Sequence, residues 1–130
     1  MTTEVIMEAK RQFLRGCLFL TLAASAAHAQ ATVFIQEKVA VSRALAGYAD
    51  IGITKTPAEG ITVALCNSDW STVLASTQTD ARGHFFLATP KTGDLFYLRL
   101  SAPGVNPYQL RVRIKKDARS ELRVHLSNAA

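Results

Sequence analysis

The sequence predicts an all-β domain, an antiparallel seven-strand β-sandwich preceded by a helical signal peptide. Three observations carry this. Short runs of alternating apolar residues recur from about residue 32 to residue 126. Gly, Pro, Asn and Asp punctuate those runs, and no helical segment of useful length lies among them. The first thirty residues differ in kind, being basic, then apolar, then small. The 130 residues are one domain's worth of chain. With 48% hydrophobic residues, 19% charged and two Cys, the chain is neither disordered nor collagen-like nor a disulfide framework.

Residues 1–29 read as the signal peptide. Lys10, Arg11 and Arg15 form a basic cluster, and an uncharged stretch runs from Cys17 to Ala27. Ala27-His28-Ala29 then places small residues at the two positions a signal peptidase reads, which predicts cleavage after Ala29. A retained membrane anchor is the competing reading, because the uncharged run continues to Gln36. Its second half is Ala, Ser, His and Gln, however, which is weakly apolar. Cys17 precedes the apolar centre, the wrong side for a lipidated cysteine, and Met7 is an alternative start. Cleavage removes three of the fifteen bases, two of the ten acids and Cys17. Cys66 is then left without an intramolecular partner, so the core alone must hold the fold. The expected compartment is periplasmic or extracellular, with no integral membrane segment after cleavage.

Residues 30–43 read as an N-terminal strand or tether, with a β-branched run from Thr32 to Val41. Arg43 to Ile53 reads as the next strand, with Gly47 marking a bulge or a close approach. Thr56 to Gly60 is a turn. Ile61, Val63 and Leu65 alternate with Thr62, Ala64 and Cys66, which predicts a half-buried strand with Cys66 on the partly covered side. Asn67-Ser68-Asp69 turns into a strand from Ser71 to Thr79. Asp80-Ala81-Arg82-Gly83 predicts a tight hairpin turn, with Asp80 accepting from backbone amides ahead of it and Gly83 at positive φ. His84 to Ala88 is the return strand. Phe96, Leu98 and Leu100 mark the next strand, Pro103 to Pro107 a turn, and Leu110, Val112 and Ile114 another strand. Leu122, Val124 and Leu126 mark the last.

Thr56 to Ala88, TPAEGITVALCNSDWSTVLASTQTDARGHFFLA, has a family cadence. A Pro-Ala-x-Gly-Ile-x-Val-x-Leu strand leads to Ser-Thr-x-Thr-Asp-Ala-x-Gly-x-Phe, and Tyr97 to Val105 follows in the same manner. Residues 44–127 thereby resemble a carboxypeptidase regulatory-like domain, within the transthyretin-like, Ig-like β-sandwich group. The resemblance implies an exported, non-enzymatic module with a structural or protein-interaction role in the cell envelope, requiring no cofactor. One branch of the wider group, the hydroxyisourate hydrolases, carries a C-terminal Tyr-Arg-Gly-Ser and an N-terminal His. This chain ends Leu126-Ser127-Asn128-Ala129-Ala130 and has no matching His. The alternatives are a small hydrolase on such a scaffold, or a binder of anionic or carbohydrate envelope ligands.

Candidate site residues are few. His28, His84 and His125 show no metal-ligand spacing, so no metal is expected. Cys66 has no base indicated beside it. Trp70 lies on or beside a loop, where it caps an end of the fold or anchors a partner. Arg111, Arg113 and Lys115 share a strand face by period two, and Arg99 and Arg123 point outward by the same rule. If those strands share a sheet, the five make a basic face for an envelope protein or an anionic envelope surface. If they do not, they are ordinary solvated charges. Nucleic acid is not expected, because no aromatics interleave with these bases in a recognisable module.

Overall fold

The computed structural model describes residues 32–129, which belong to one compact unit, Ala31–Ala130. The signal-peptide reading of residues 1–29 lies outside the described residues. Among those described, no helix is long and apolar enough to cross a membrane.

Ten strands build two sheets: β1 Phe34–Ile35, β2 Ala40–Ser42, β3 Leu45–Ile51, β4 Thr56–Pro57, β5 Thr62–Cys66, β6 Val73–Gln78, β7 His84–Leu87, β8 Leu95–Ala102, β9 Val105–Ile114 and β10 Leu122–Leu126. Sheet A has six strands in the order β1-β9-β8-β5-β6, and β2 also pairs with β9 beyond β1. Sheet B has four strands. β10 lies on one side of β3, while β7 and β4 follow one another along its other side.

The expected strand regions are all present, but the count exceeds seven. The predicted leading strand is broken into β1 and β2, and β4 forms inside the predicted turn at Thr56. Nor are the sheets purely antiparallel. β1 and β2 run parallel to β9, and β10 runs parallel to β3. Parallel partners need a long crossover, and Asp50 and His125, opposite one another on β3 and β10, are 75 residues apart.

One apolar cluster draws on both sheets. Val63, Leu65, Phe96, Leu98, Leu100, Leu110 and Val112 come from sheet A, and Leu45, Ala49, Phe85, Leu87, Leu122, Val124 and Leu126 from sheet B. The period-two alternation of β8 and β10 is what aims these side chains inward.

β3 sits at the tightest point. The Gly47 Cα lies against Leu122 of β10, and a Cβ there would overlap the Leu122 carbonyl and its Cβ. The expected close approach is therefore with the parallel neighbour. At Ala49 the partner of β3 changes. Its N–H donates to the Gly83 carbonyl (2.8 Å), and its carbonyl accepts from the Ala58 N–H (3.0 Å). Gly83 has φ +78° and abuts the Ala49 carbonyl, so a side chain is excluded by both dihedral and space.

The Asp80–Gly83 turn is as tight as expected. Asp80 Oδ1 accepts from the N–H of Arg82 (2.9 Å) and of His84 (3.0 Å), which holds its carboxyl below the ordinary value. It is not a hairpin within one sheet, however. β6 belongs to sheet A and β7 to sheet B, so the turn carries the chain across the core. Next to it Thr79 is buried. Its Oγ1 donates to the Ala58 carbonyl and accepts from the Ile61 N–H (2.9 Å), closing the crossing.

Asn106, in the segment expected to be a turn, is a buried tie. Its Oδ1 accepts from the Thr32 N–H (2.9 Å), and its Nδ2 donates to Ser127 Oγ (2.9 Å) and the Asn128 carbonyl (3.1 Å). One side chain thus joins both ends of the described chain to the start of β9.

Candidate functional site

The basic row is partly assembled. Across the β8/β9 ladder, Arg99 faces Gln109, Arg111 faces Tyr97 and Arg113 faces Leu95. Directly opposed residues share a face, so the three arginines lie on the outer side of sheet A. Lys115 follows the end of β9 and is exposed. Arg123 is not among them. It stands on β10 in sheet B, with its guanidinium 4.9 Å from the centre of the Tyr48 ring. Period two fixes which side of a strand a residue takes, not which sheet the strand joins.

The three arginines of the row are also engaged. Arg111 Nη2 donates to the Glu37 carbonyl, Arg113 Nη1 lies 3.2 Å from Asp94 Oδ2, and Arg99 Nη1 donates to the Trp70 carbonyl (3.4 Å). Their positive ends hold loops against the sheet instead of standing free.

Trp70 is half-buried in the β5–β6 loop, at φ +67°. Its ring meets the Tyr97 ring edge-on at 5.5 Å between centroids. Tyr97 faces Cys66 across the β5/β8 ladder. Cys66 is only 2% exposed, not half-covered as alternation implied, and Ala64 is buried beside it. Cys66 shares that outer face with Tyr97, whose ring Trp70 meets. Asp69 fixes the loop by accepting from the Ser71 hydroxyl (2.6 Å) and N–H (3.0 Å), which lowers its carboxyl below the ordinary value.

A different cluster, missed in the sequence, occupies the outer face of sheet B. His125 Nδ1 lies 2.7 Å from Asp50 Oδ1, directly across the parallel β3/β10 ladder. The carboxylate accepts from Nδ1–H, which leaves Nε2 as the other nitrogen of a ring that is more than half exposed. Next along the strands, Arg123 covers Tyr48, and Tyr48 meets the His84 ring at 4.8 Å. His84 Nε2 lies 3.6 Å from Glu121 Oε2. Both histidines are on the outer side, and each is paired. The only signal was that Asp50 and His125 take outward positions by alternation. Their register is not encoded locally. Among the described residues, no group of His, Cys, Asp and Glu is arranged to hold a metal.

This cluster borders an open cavity of about 880 Å³ at one end of the fold. Phe34, Ile51, Ile53, Tyr108 and Leu126 supply its apolar wall, and His125 stands at its margin. Ile53 is fully exposed on the turn after β3, and Phe34 is exposed on β1. The Tyr108 hydroxyl donates to Gln36 Oε1 (2.8 Å), and burial pushes its phenol above the ordinary value. No family model matches the chain, and no curated protein matches it.

Proposed function

We propose that this chain is an exported, non-enzymatic β-sandwich module of the transthyretin-like kind, with a protein-interaction role in the cell envelope. The observation that carries this is the apolar cavity. Phe34 and Ile53 are exposed together beside Tyr108 and Leu126, and contiguous exposed apolar surface with a polar margin marks interaction sites. The occupant that fits is an apolar side chain of a partner protein, with His125 at the rim to meet a polar group beside it. The two sheets around one core and the tight Asp80–Gly83 turn support the sandwich reading. The basic face is the weaker binding candidate, because its arginines are spent on Glu37, Asp94 and Trp70.

The Asp50–His125 pair favours a second reading, a small hydrolase with the imidazole as base. Among the described residues no hydroxyl or thiol is hydrogen-bonded to that ring, so the pair lacks a nucleophile in place. The test is a photoreactive benzoylphenylalanine at position 53, compared with one at exposed Lys91, in cells fractionated after irradiation. A discrete envelope-protein adduct at 53 alone is expected, on a chain whose first residue is Gln30. No adduct at 53, together with ester hydrolysis lost in His125→Ala, overturns the reading in favour of the hydrolase.

A further inference from the structure

The two edges of sheet A are unlike. One is covered by β1 and β2, with Glu37 and Lys38 at the break between them. The other is β6, which pairs only with β5. β6 reads Val-Leu-Ala-Ser-Thr-Gln, six residues with no charge and no proline. Five of the six are exposed, Val73 at 49% and Leu74 at 61%, so neither face is covered. Edge strands of soluble domains are ordinarily short, bulged, charged or capped. β6 has one such device, a bulge at its Val73 end where Cys66 pairs after a register shift. The stretch from Ala75 to Gln78 has none.

The unpaired groups can be named. The Thr79 N–H donates to the Ile61 carbonyl (2.9 Å), so the peptide groups of Thr79 turn toward the β5 side. Alternation then turns those of Thr77 and Ala75 the same way, and those of Ser76 and Gln78 outward. Two donors and two acceptors thus lie along the regular stretch of the free edge, and none has a partner among the described residues.

We infer that β6 is a two-fold interface at which a second copy of this chain extends sheet A, antiparallel, about Ser76. The strand is complementary to itself. In that register Ser76 faces Ser76 of the copy and the two exchange both backbone bonds across the axis, with Gln78 opposite Leu74 in both directions. No like charges meet along the strand, which removes the usual cost of pairing an edge with itself. Small residues, Ala75, Ser76 and Thr77, occupy the axis, where two backbones approach to about 5 Å. The ends are complementary as well. The β5–β6 loop of one copy, carrying Asp69, comes beside the β6–β7 turn of the other, carrying exposed Arg82. Asp69 and Asp80 each hold their own loop through Oδ1. Symmetry makes this contact twice. The interface leaves the Phe34–Ile53 cavity untouched, so it stands or falls apart from the proposed function.

The experiment is sedimentation of the chain as the cell produces it, followed by cysteine cross-linking. The native chain is expected at dimer mass, and Ser76→Lys at monomer mass with an unchanged far-UV spectrum, since Lys at the axis would set like charges opposite one another. In a Cys66→Ala background, Ser76→Cys is expected to form a disulfide-linked dimer, its two Cα atoms being within the 4.4–6.8 Å range that a disulfide spans. Gln78→Cys, two residues from the axis in each copy, is expected to stay uncross-linked. A native chain that is monomeric throughout, a dimer that survives Ser76→Lys, or cross-linking at 78 in preference to 76 each overturns the inference.

Discussion

β3 and β6 are strands of similar length with opposite lives. β3 has neighbours along both sides, and its first three residues are buried. β6 has one neighbour and two open faces. The difference is one of position, not of intrinsic preference. Leu-Ala-Gly-Tyr-Ala-Asp-Ile is no better a strand former than Val-Leu-Ala-Ser-Thr-Gln. β3 is held because β10, β7 and β4 close on it, and its glycine lets one of them come near. Sensitivity to substitution should follow the same division.

The largest effect is expected at Gly47. Gly47→Ala drives a Cβ into backbone of β10, not into a flexible side chain, so β3 and β10 must part. A loss of about 3 kcal/mol or more in chemical denaturation is expected, and a loss below about 1 kcal/mol would show that the pair separates easily. Thr79→Ala comes next, at the crossing between β6 and β7. It leaves the buried Ile61 N–H and Ala58 carbonyl without their side-chain partner, a cost of about 1–3 kcal/mol. Thr79→Ser keeps both bonds and should recover most of that loss.

A smaller effect lies in the neighbouring turn. Asp80 has a lowered carboxyl in the fold, caused first by the His84 N–H and then by the Arg82 N–H. A group so lowered stabilises the fold fully above its ordinary value of 3.8, and that contribution is lost as pH falls through the lower folded value. Asp80→Ala should therefore narrow the gap in Tm between about pH 6 and about pH 3, by a few degrees at most for so exposed a group. The smallest effect is expected on β6 itself. Leu74→Ala should change stability by no more than about 0.5 kcal/mol. A loss as large as that of Thr79→Ala would mean that β6 is packed against something more than β5.

The strands whose one face meets the core were legible, because alternation and burial coincide there. β8 and β10 are the clear cases. Alternation misled for β5, where Ala64 and Cys66 on the outer side are buried as well, and it says little for β6, where both faces are open. The Asp80–Gly83 turn was legible from its residue types, but its change of sheet was not, since the same backbone turn serves either course. For the candidate site the limit was register. The row of Arg99, Arg111 and Arg113 could be read from period two within adjacent strands. Arg123 could not be assigned to a sheet, and the Asp50–His125 pair depends on a parallel ladder between distant segments. Trp70 was placed correctly beside a loop, while its contact with Tyr97 belongs to the packing of that loop on β8.

The parallel pairing of β3 with β10 also sets an order of events. The β5/β6 and β8/β9 ladders join neighbours in sequence and can form soon after each is made. β3 is synthesised before any of them, yet the strand that covers the Gly47 side is residues 122–126. A chain delivered from its N-terminus must therefore hold β3 half-paired until residues 122–126 have emerged. During that interval one side of β3 is an open template, and the glycine that permits close packing offers no side chain to guard it. The arrival of residues 122–126 is thus what ends the exposure of β3.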